Sequence, residues 1–158
     1  MIKKVLKVPV AVIQRGSFFL FQRRKKSPYK NYLGLLGGKI ESGEDLKSAL
    51  TREVFEESSL IVKDLHPVGL VSEFFYTKKD IYKVELFIFK ATITKEEIIA
   101  NDKEGDLIWV DSSEFELLRE EFIPTDWLIV KRMLDGDFSN FEIKVFENNY
   151  RYSVISSY

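Results

Sequence analysis

The sequence predicts an α+β domain, an α/β/α sandwich on a mixed β-sheet, and three observations carry that expectation. Apolar, β-branched segments recur along the chain between short polar turns, the pattern of paired strands. One stretch beginning near residue 44 has the composition and period of a strong helix, and a second, shorter one covers residues 127–134. Strands mostly follow one another directly, so hairpins dominate over parallel crossovers.

Taken in order, residues 5–14 form a buried strand in which Pro9 calls for an edge position or a bulge. Arg15-Gly16-Ser17 turns the chain into a second strand, 18–22. It ends in Arg23, Arg24, Lys25 and Lys26, a cluster that by itself reads as solubilising surface charge. After a loop at 28–32, a short strand at 33–36 feeds the Gly37-Gly38 turn. From about Glu44 the chain becomes helical: Glu44 or Asp45 supplies an acidic first turn, and good helix formers follow in Leu46, Lys47, Ala49, Leu50, Arg52 and Glu53. Residues 60–76 are extended, broken by His66-Pro67 and Gly69. A turn at 77–80 leads to a strand at 82–92 that alternates through Val84, Leu86 and Ile88. A helical turn at 95–100 and a polar loop at 101–106 precede a strand at 107–110. Ser112-Ser113 caps a short helix through Leu118. Pro124-Thr125-Asp126 opens the helix ended by Gly136, where Asp126 suits an N-cap or first-turn position. The tail is a hairpin, 141–147 and 150–155, turning at Asn148-Asn149.

Composition bounds the function. The 158 residues fit a single domain, 1–158, with a sizeable core. A formal net charge of −1 and the lack of an extended basic track argue against duplex nucleic acid or an anionic membrane as partner. Without cysteine there is no disulfide framework and no thiolate zinc site. The single histidine, His66, has no second ligand of its kind and reads as structural or exposed. The N-terminus alternates charge with apolar residues and lacks the apolar core of a signal peptide. No run approaches the roughly 18 apolar residues of a membrane span, so the expectation is a cytoplasmic protein. Oligomeric state is not encoded in any visible pattern.

The helix beginning near Glu44 carries the chemistry. Leu46, Ala49, Leu50, Glu53 and Glu57 fall on one stripe, flanked by Val54 and Glu56. Its first half is a core-facing surface, and its second half sets carboxylates where leucines were due. Such acids either form a solvated helix end or bind a divalent cation, since buried carboxylates need a partner. The spelling of the segment favours the cation. It fits G-x5-E-x7-R-E-U-x-E-E-x-G-U, with U a bulky aliphatic, at Gly38, Glu44, Arg52, Glu53, Val54, Glu56, Glu57 and Leu60. This coincidence has a frequency on the order of 10⁻⁷ per register at average residue usage. The segment resembles the Nudix box of the Nudix hydrolases, and Gly37-Gly38-Lys39-Ile40-Glu41 is similar to the start of that box in MutT-type enzymes. The one departure is Ser59, where the pattern has glycine and the chain is expected to turn left-handed.

The resemblance implies the Nudix fold and a Mg²⁺-dependent reaction, with Mn²⁺ as a substitute, that splits a nucleoside triphosphate into monophosphate and pyrophosphate. It implies metal ligation by Glu53, Glu56 and Glu57 with a backbone carbonyl of Gly37 or Gly38. Arg52 would orient Glu53 or Glu56 by a bidentate contact, and Glu44 would be structural. The general base is one of Glu53, Glu56 and Glu104, the last in a loop that resembles the extra acidic loop of MutT-type enzymes. Lys39 would contact phosphate, and so would Arg23, which also stands as plain surface charge. Asp126 would read the base, with aromatic support from its helix and the C-terminal hairpin. The implied substrate is an oxidised purine nucleotide such as 8-oxo-dGTP. ADP-ribose or another nucleoside diphosphate derivative is the alternative, and a non-catalytic nucleotide-binding regulatory module a more distant one.

Overall fold

Residues Ile2–Arg15 form the strand, β1, that joins the two parts of the sheet. Its five residues from Pro9 to Ile13 are all buried, which requires cover on both faces. A computed structural model describes residues 1–94 and 105–158. After β1 come strands β2 (Phe18–Arg24), β3 (Leu33–Gly34) and β4 (Leu36–Gly37), then helix α1 (Leu46–Ser58). Strands β5 (Val62–Tyr76), β6 (Ile81–Ile93) and β7 (Gly105–Asp111) lead to helix α2 (Pro124–Leu134), and β8 (Phe141–Asn148) and β9 (Arg151–Ser157) close the chain.

The mixed sheet runs β3-β2-β1-β6-β5-β8-β9, with β4 paired to β1 and β7 to β2. β1 pairs β6 in parallel, as β5 pairs β8, and the remaining pairs are antiparallel. Helix α1 packs against β1, β4 and β5, burying Leu50 and Val54 with Ala11, Ile13, Leu36, Leu60 and Phe89. On the second core, α2 sets Trp127, Ile129 and Val130 among Val10, Val12, Val71, Ile88 and Ile143. The α+β fold with helices on a mixed sheet is the one the sequence predicts. No helix among the described residues is long and apolar enough to cross a membrane.

Four local expectations are corrected, and one is met in an unexpected place. Pro9 lies on an inner strand, yet β4 pairs with β1 only from Val10, so on that side the proline sits where pairing ends. The breaks around His66-Pro67 and Gly69 are register shifts within one long β5, because β6 continues past them. Asp111, not Ser112, caps the turn that follows β7: its carboxylate accepts from Ser113 N at 3.1 Å, and two short 3-10 turns replace the expected helix. α2 starts at Pro124 and not at residue 127, because the fixed φ and missing N–H of proline suit the first helical position; Asp126 takes the first-turn place of the two its sequence allowed. The last hairpin turns at Asn149-Tyr150, both at positive φ, one residue beyond the expected pair.

Helix α1 is framed as its sequence requires. Asp45 is the N-cap, accepting from Ser48 N at 2.7 Å, and that bond holds its carboxyl below the usual range. Ser59 ends the helix at φ 61°, ψ 9°, donating its N–H to Phe55 O at 2.8 Å. A serine in this region is strained where glycine is not. Ser59→Gly is therefore expected to stabilise the protein by up to about 1 kcal/mol, read as a raised Tm. A lowered Tm would contradict the left-handed assignment.

Candidate active site

The site begins where β4 brings two glycines under α1. A Cβ on Gly37 would stand 2.3 Å from the Pro9 carbonyl oxygen and 2.9 Å from Val10 Cα. A Cβ on Gly38 would meet the Glu53 carboxylate, 2.3 Å from its carboxyl carbon. Both positions need glycine for close approach, but the obstacles differ: rigid backbone at Gly37, the end of one side chain at Gly38. Gly38→Ala is accordingly expected to fold with little change in Tm while displacing Glu53 and abolishing most activity. Gly37→Ala should lower Tm. Equal loss of stability in both variants would contradict this division.

Arg52 is the hub of the acidic face. Its Nε and Nη2 each donate to Glu44 at 2.9 Å, a bidentate pair. Nη1 donates to Glu53 at 3.0 Å and to Glu56 at 3.2 Å, and Nη2 also donates to the Lys39 carbonyl at 3.1 Å. Glu44 accepts from Glu41 N at 2.9 Å as well. The Arg52 bonds, followed by this backbone bond, hold the Glu44 carboxyl below its ordinary range. The guanidinium itself is pushed up, chiefly by Glu44 and then by Glu53. The expected bidentate contact of Arg52 thus goes to Glu44, and Glu53 and Glu56 receive single bonds. Glu44 lies in the loop that returns onto the helix, a placement that spacing does not reveal.

The three box acids separate by exposure. Glu57 is buried at 6% exposure, Glu53 is half-buried against Gly38, and Glu56 is exposed. Successive helical residues are about 100° apart, so Glu56 and Glu57 cannot share one direction. Glu53 and Glu57, one turn apart and with the Gly38 cradle beside Glu53, fit a hard cation that takes one or two carboxylates plus phosphate oxygens. Among the described residues no group of three or more His, Asp or Glu side chains is arranged to hold a metal ion. Glu104 lies outside the described residues.

The other expected substrate contacts fall in different places. Lys39 has an exposed side chain beside the cradle. Arg23 donates to the Asn31 carbonyl at 2.9 Å and faces Glu121 at 3.6 Å, bracing the loop between β2 and β3. Arg24 also turns inward, donating to the Pro28 carbonyl at 2.9 Å, rather than standing as free surface charge.

Asp126 is buried and accepts from Leu35 N at 2.8 Å, just ahead of the glycine cradle. Burial pushes its carboxyl up to about 7, opposed by the Leu35 bond and by Arg24 and reinforced by Glu73. Glu73 of β5, a residue the motif reading missed, is buried on the same face and accepts from the Thr125 hydroxyl. Its carboxyl is also raised by burial. Tyr29, Tyr32, Phe75 and Tyr152 gather beside these acids. Tyr29 and Tyr152 have ring centroids 4.3 Å apart, Tyr32 and Tyr152 5.2 Å, and Tyr29 N donates to the Tyr152 hydroxyl at 2.8 Å. Trp127, the aromatic residue expected to help from α2, instead donates to the Phe115 carbonyl and stacks under Arg119. The hairpin does contribute, through Tyr152.

An oxidized purine nucleoside triphosphate hydrolase of Danio rerio is 32% identical over 78 residues, 49% of this chain and 49% of the relative. An ADP-ribose pyrophosphatase of Methanocaldococcus jannaschii is 36% identical over 61 residues, 39% of this chain and 36% of the relative. The chain thus spans about half the length, or less, of these two curated relatives. The crystal structure of a mutator MutT protein from Bacillus halodurans superimposes with TM-score 0.76 at 24% identity, covering 97% of this chain and 96% of the other, a likeness of fold. The family model described as NUDIX domain matches residues 3–133, and the chain belongs to the NUDIX family.

Proposed function

We propose that this protein is a Mg²⁺-dependent pyrophosphohydrolase that converts an oxidised purine nucleoside triphosphate, such as 8-oxo-dGTP, to its monophosphate and pyrophosphate. The observation that carries the reading is the Gly38 cradle filled by the Glu53 carboxylate, with Arg52 clamping Glu44, Glu53 and Glu56 around it. Glu53 and Glu57 would hold the metal, together with a carbonyl of Gly37 or Gly38. When bound, such an ion neutralises the phosphate chain and lowers the pKa of a coordinated water. The chain's own residues fix the rest. Arg52 keeps Glu53 and Glu56 aimed, and a proton from the attacking water passes to one of Glu53, Glu56 and Glu104. Lys39, exposed beside the cradle, would meet phosphate, and Arg23 would serve the same end only after leaving Asn31.

The oxidised-purine choice rests on Asp126, a buried acid one strand from the cradle and flanked by aromatic rings that can stack on a base. The Danio rerio relative points the same way, and the archaeal relative makes ADP-ribose the second reading. A site built on hydrogen bonds to a base discriminates strongly, because a wrong base leaves a buried polar group unpaired. Asp126→Ala is expected to lower kcat/KM for 8-oxo-dGTP roughly tenfold or more relative to dGTP and dCTP, with Mg²⁺-dependent hydrolysis of the poorer substrates retained. Unchanged ratios would remove Asp126 from the site. ADP-ribose turning over faster than any triphosphate would favour the second reading.

A further inference from the structure

Asp126 can read a base only where a base can reach it, and its side chain is buried at 7% exposure. Two clefts flank the aromatic cluster beside it. One, of about 590 Å³, is bounded by Pro28, Phe75 and Tyr152, and the other, of about 430 Å³, by Tyr32, Pro124 and Tyr152. Asp126 lines neither. Tyr152 belongs to both, and the ring packed most closely on it is that of Tyr29, with centroids 4.3 Å apart. Tyr29 also meets Phe75 edge-on at 5.5 Å and Tyr32 at 6.2 Å. Phe75 and Tyr152 stand on strands, whereas Tyr29 and Tyr32 come from the loop 25–32 between β2 and β3.

Tyr29 is held there under strain. It is a non-glycine residue at φ 63°, in the left-handed region that side chains disfavour, and Asn31 of the same loop is at φ 73°. Its ring is buried, yet its hydroxyl has no hydrogen-bond partner among the described residues. Water or a ligand would serve such a hydroxyl better. Backbone bonds join Arg24 to residues 31 and 32 at the base of the loop. Beyond them, Tyr29 N donates to the Tyr152 hydroxyl at 2.8 Å, Arg24 to the Pro28 carbonyl at 2.9 Å and Arg23 to the Asn31 carbonyl at 2.9 Å. We propose that residues 25–32 are a strap that shuts the nucleotide-free site, the Tyr29 ring filling the place of the base until nucleotide binding expels it. The inference rests on the reading of Asp126 as a base contact. An incoming base replaces one planar ring by another among Phe75, Tyr32 and Tyr152. Expulsion lets Tyr29 leave the left-handed region and hydrates its hydroxyl, which offsets part of the lost packing. The same movement takes the Asn31 carbonyl away from Arg23, whose guanidinium then turns to phosphate. Base entry and phosphate capture are coupled through one loop.

Fluorine NMR on the full chain labelled with fluorotyrosine follows the ring directly, and Tyr29→Phe assigns its signal among the seven tyrosines. Without nucleotide the Tyr29 signal should show no solvent-isotope shift between H₂O and D₂O. With saturating 8-oxo-dGMP, whose binding is measured in parallel by calorimetry, it should show the shift of an exposed ring. Binding that leaves Tyr29 buried overturns the strap and leaves the base reading standing. Binding that Asp126→Ala does not weaken overturns the base reading and the strap with it, as does the lack of any binding. Kinetics give a second readout that needs no label. A site open for only a fraction of the time binds with its affinity reduced by that fraction. Tyr152→Phe keeps the ring and removes the hydroxyl that holds Tyr29 N, so the strap opens more often and kcat/KM for 8-oxo-dGTP should rise severalfold. An unchanged or lower kcat/KM overturns the strap.

Discussion

Glu53→Gln should leave a folded protein that has lost nearly all turnover. The Glu53 carboxylate is packed on Gly38 and held by Arg52 Nη1 at 3.0 Å, so its position is set from two sides. Glutamine keeps that shape, and its carbonyl still accepts from Arg52, so stability should change by no more than about 1–2 kcal/mol. The negative charge is lost, and with it a metal ligand or a proton acceptor. A positioned acid or base contributes typically about 10²–10⁴-fold, and kcat should fall by at least that much at saturating Mg²⁺. A fall of less than tenfold with an unchanged melt would place Glu53 outside the chemistry. The same substitution at the exposed Glu56 should be milder, because Glu56 lacks a cradle.

Leu50→Ala tests the other half of the same helix. Leu50 is fully buried among Ala11, Ile13, Leu36 and Val54, between α1 and the sheet. Truncation removes transfer energy and leaves a cavity, together about 2–5 kcal/mol. In a domain of this size that lowers Tm by roughly 4–20 °C. A thermal melt checks it, and an unchanged Tm would contradict the packing of α1. Because α1 carries the acids on its later turns, the variant should keep metal-dependent activity well below its melting transition. Stability and chemistry are thus separable along one helix.

Legibility in the sequence followed the range of the interactions. α1 was readable because its cap, its apolar start and its acids are all local, and the φ of Ser59 was readable because a left-handed residue must close such a helix. The bidentate partner of Arg52 was not, since Glu44 reaches it across the loop and the helix cap. Of the two positions that local sequence allowed Asp126, the first turn is the one it takes: Pro124 belongs at the first helical position, which sets Asp126 inside the helix with its carboxylate on Leu35 N. Glu73 left a signal in the alternation of Val71, Glu73 and Phe75, an acid on the buried phase of a strand. Its partner Thr125 left none, since it comes from a distant element. The contact between Tyr29 and Tyr152, across 123 residues, belongs to the tertiary structure alone.

The most direct test of the account is the product analysis of 8-oxo-dGTP incubated with the purified protein and Mg²⁺, resolved by ion-exchange chromatography with and without EDTA. The account predicts 8-oxo-dGMP and pyrophosphate in equal amounts, no product in EDTA, and recovery when Mg²⁺ is restored in excess. Release of orthophosphate with the diphosphate, or turnover undiminished by EDTA, would contradict it.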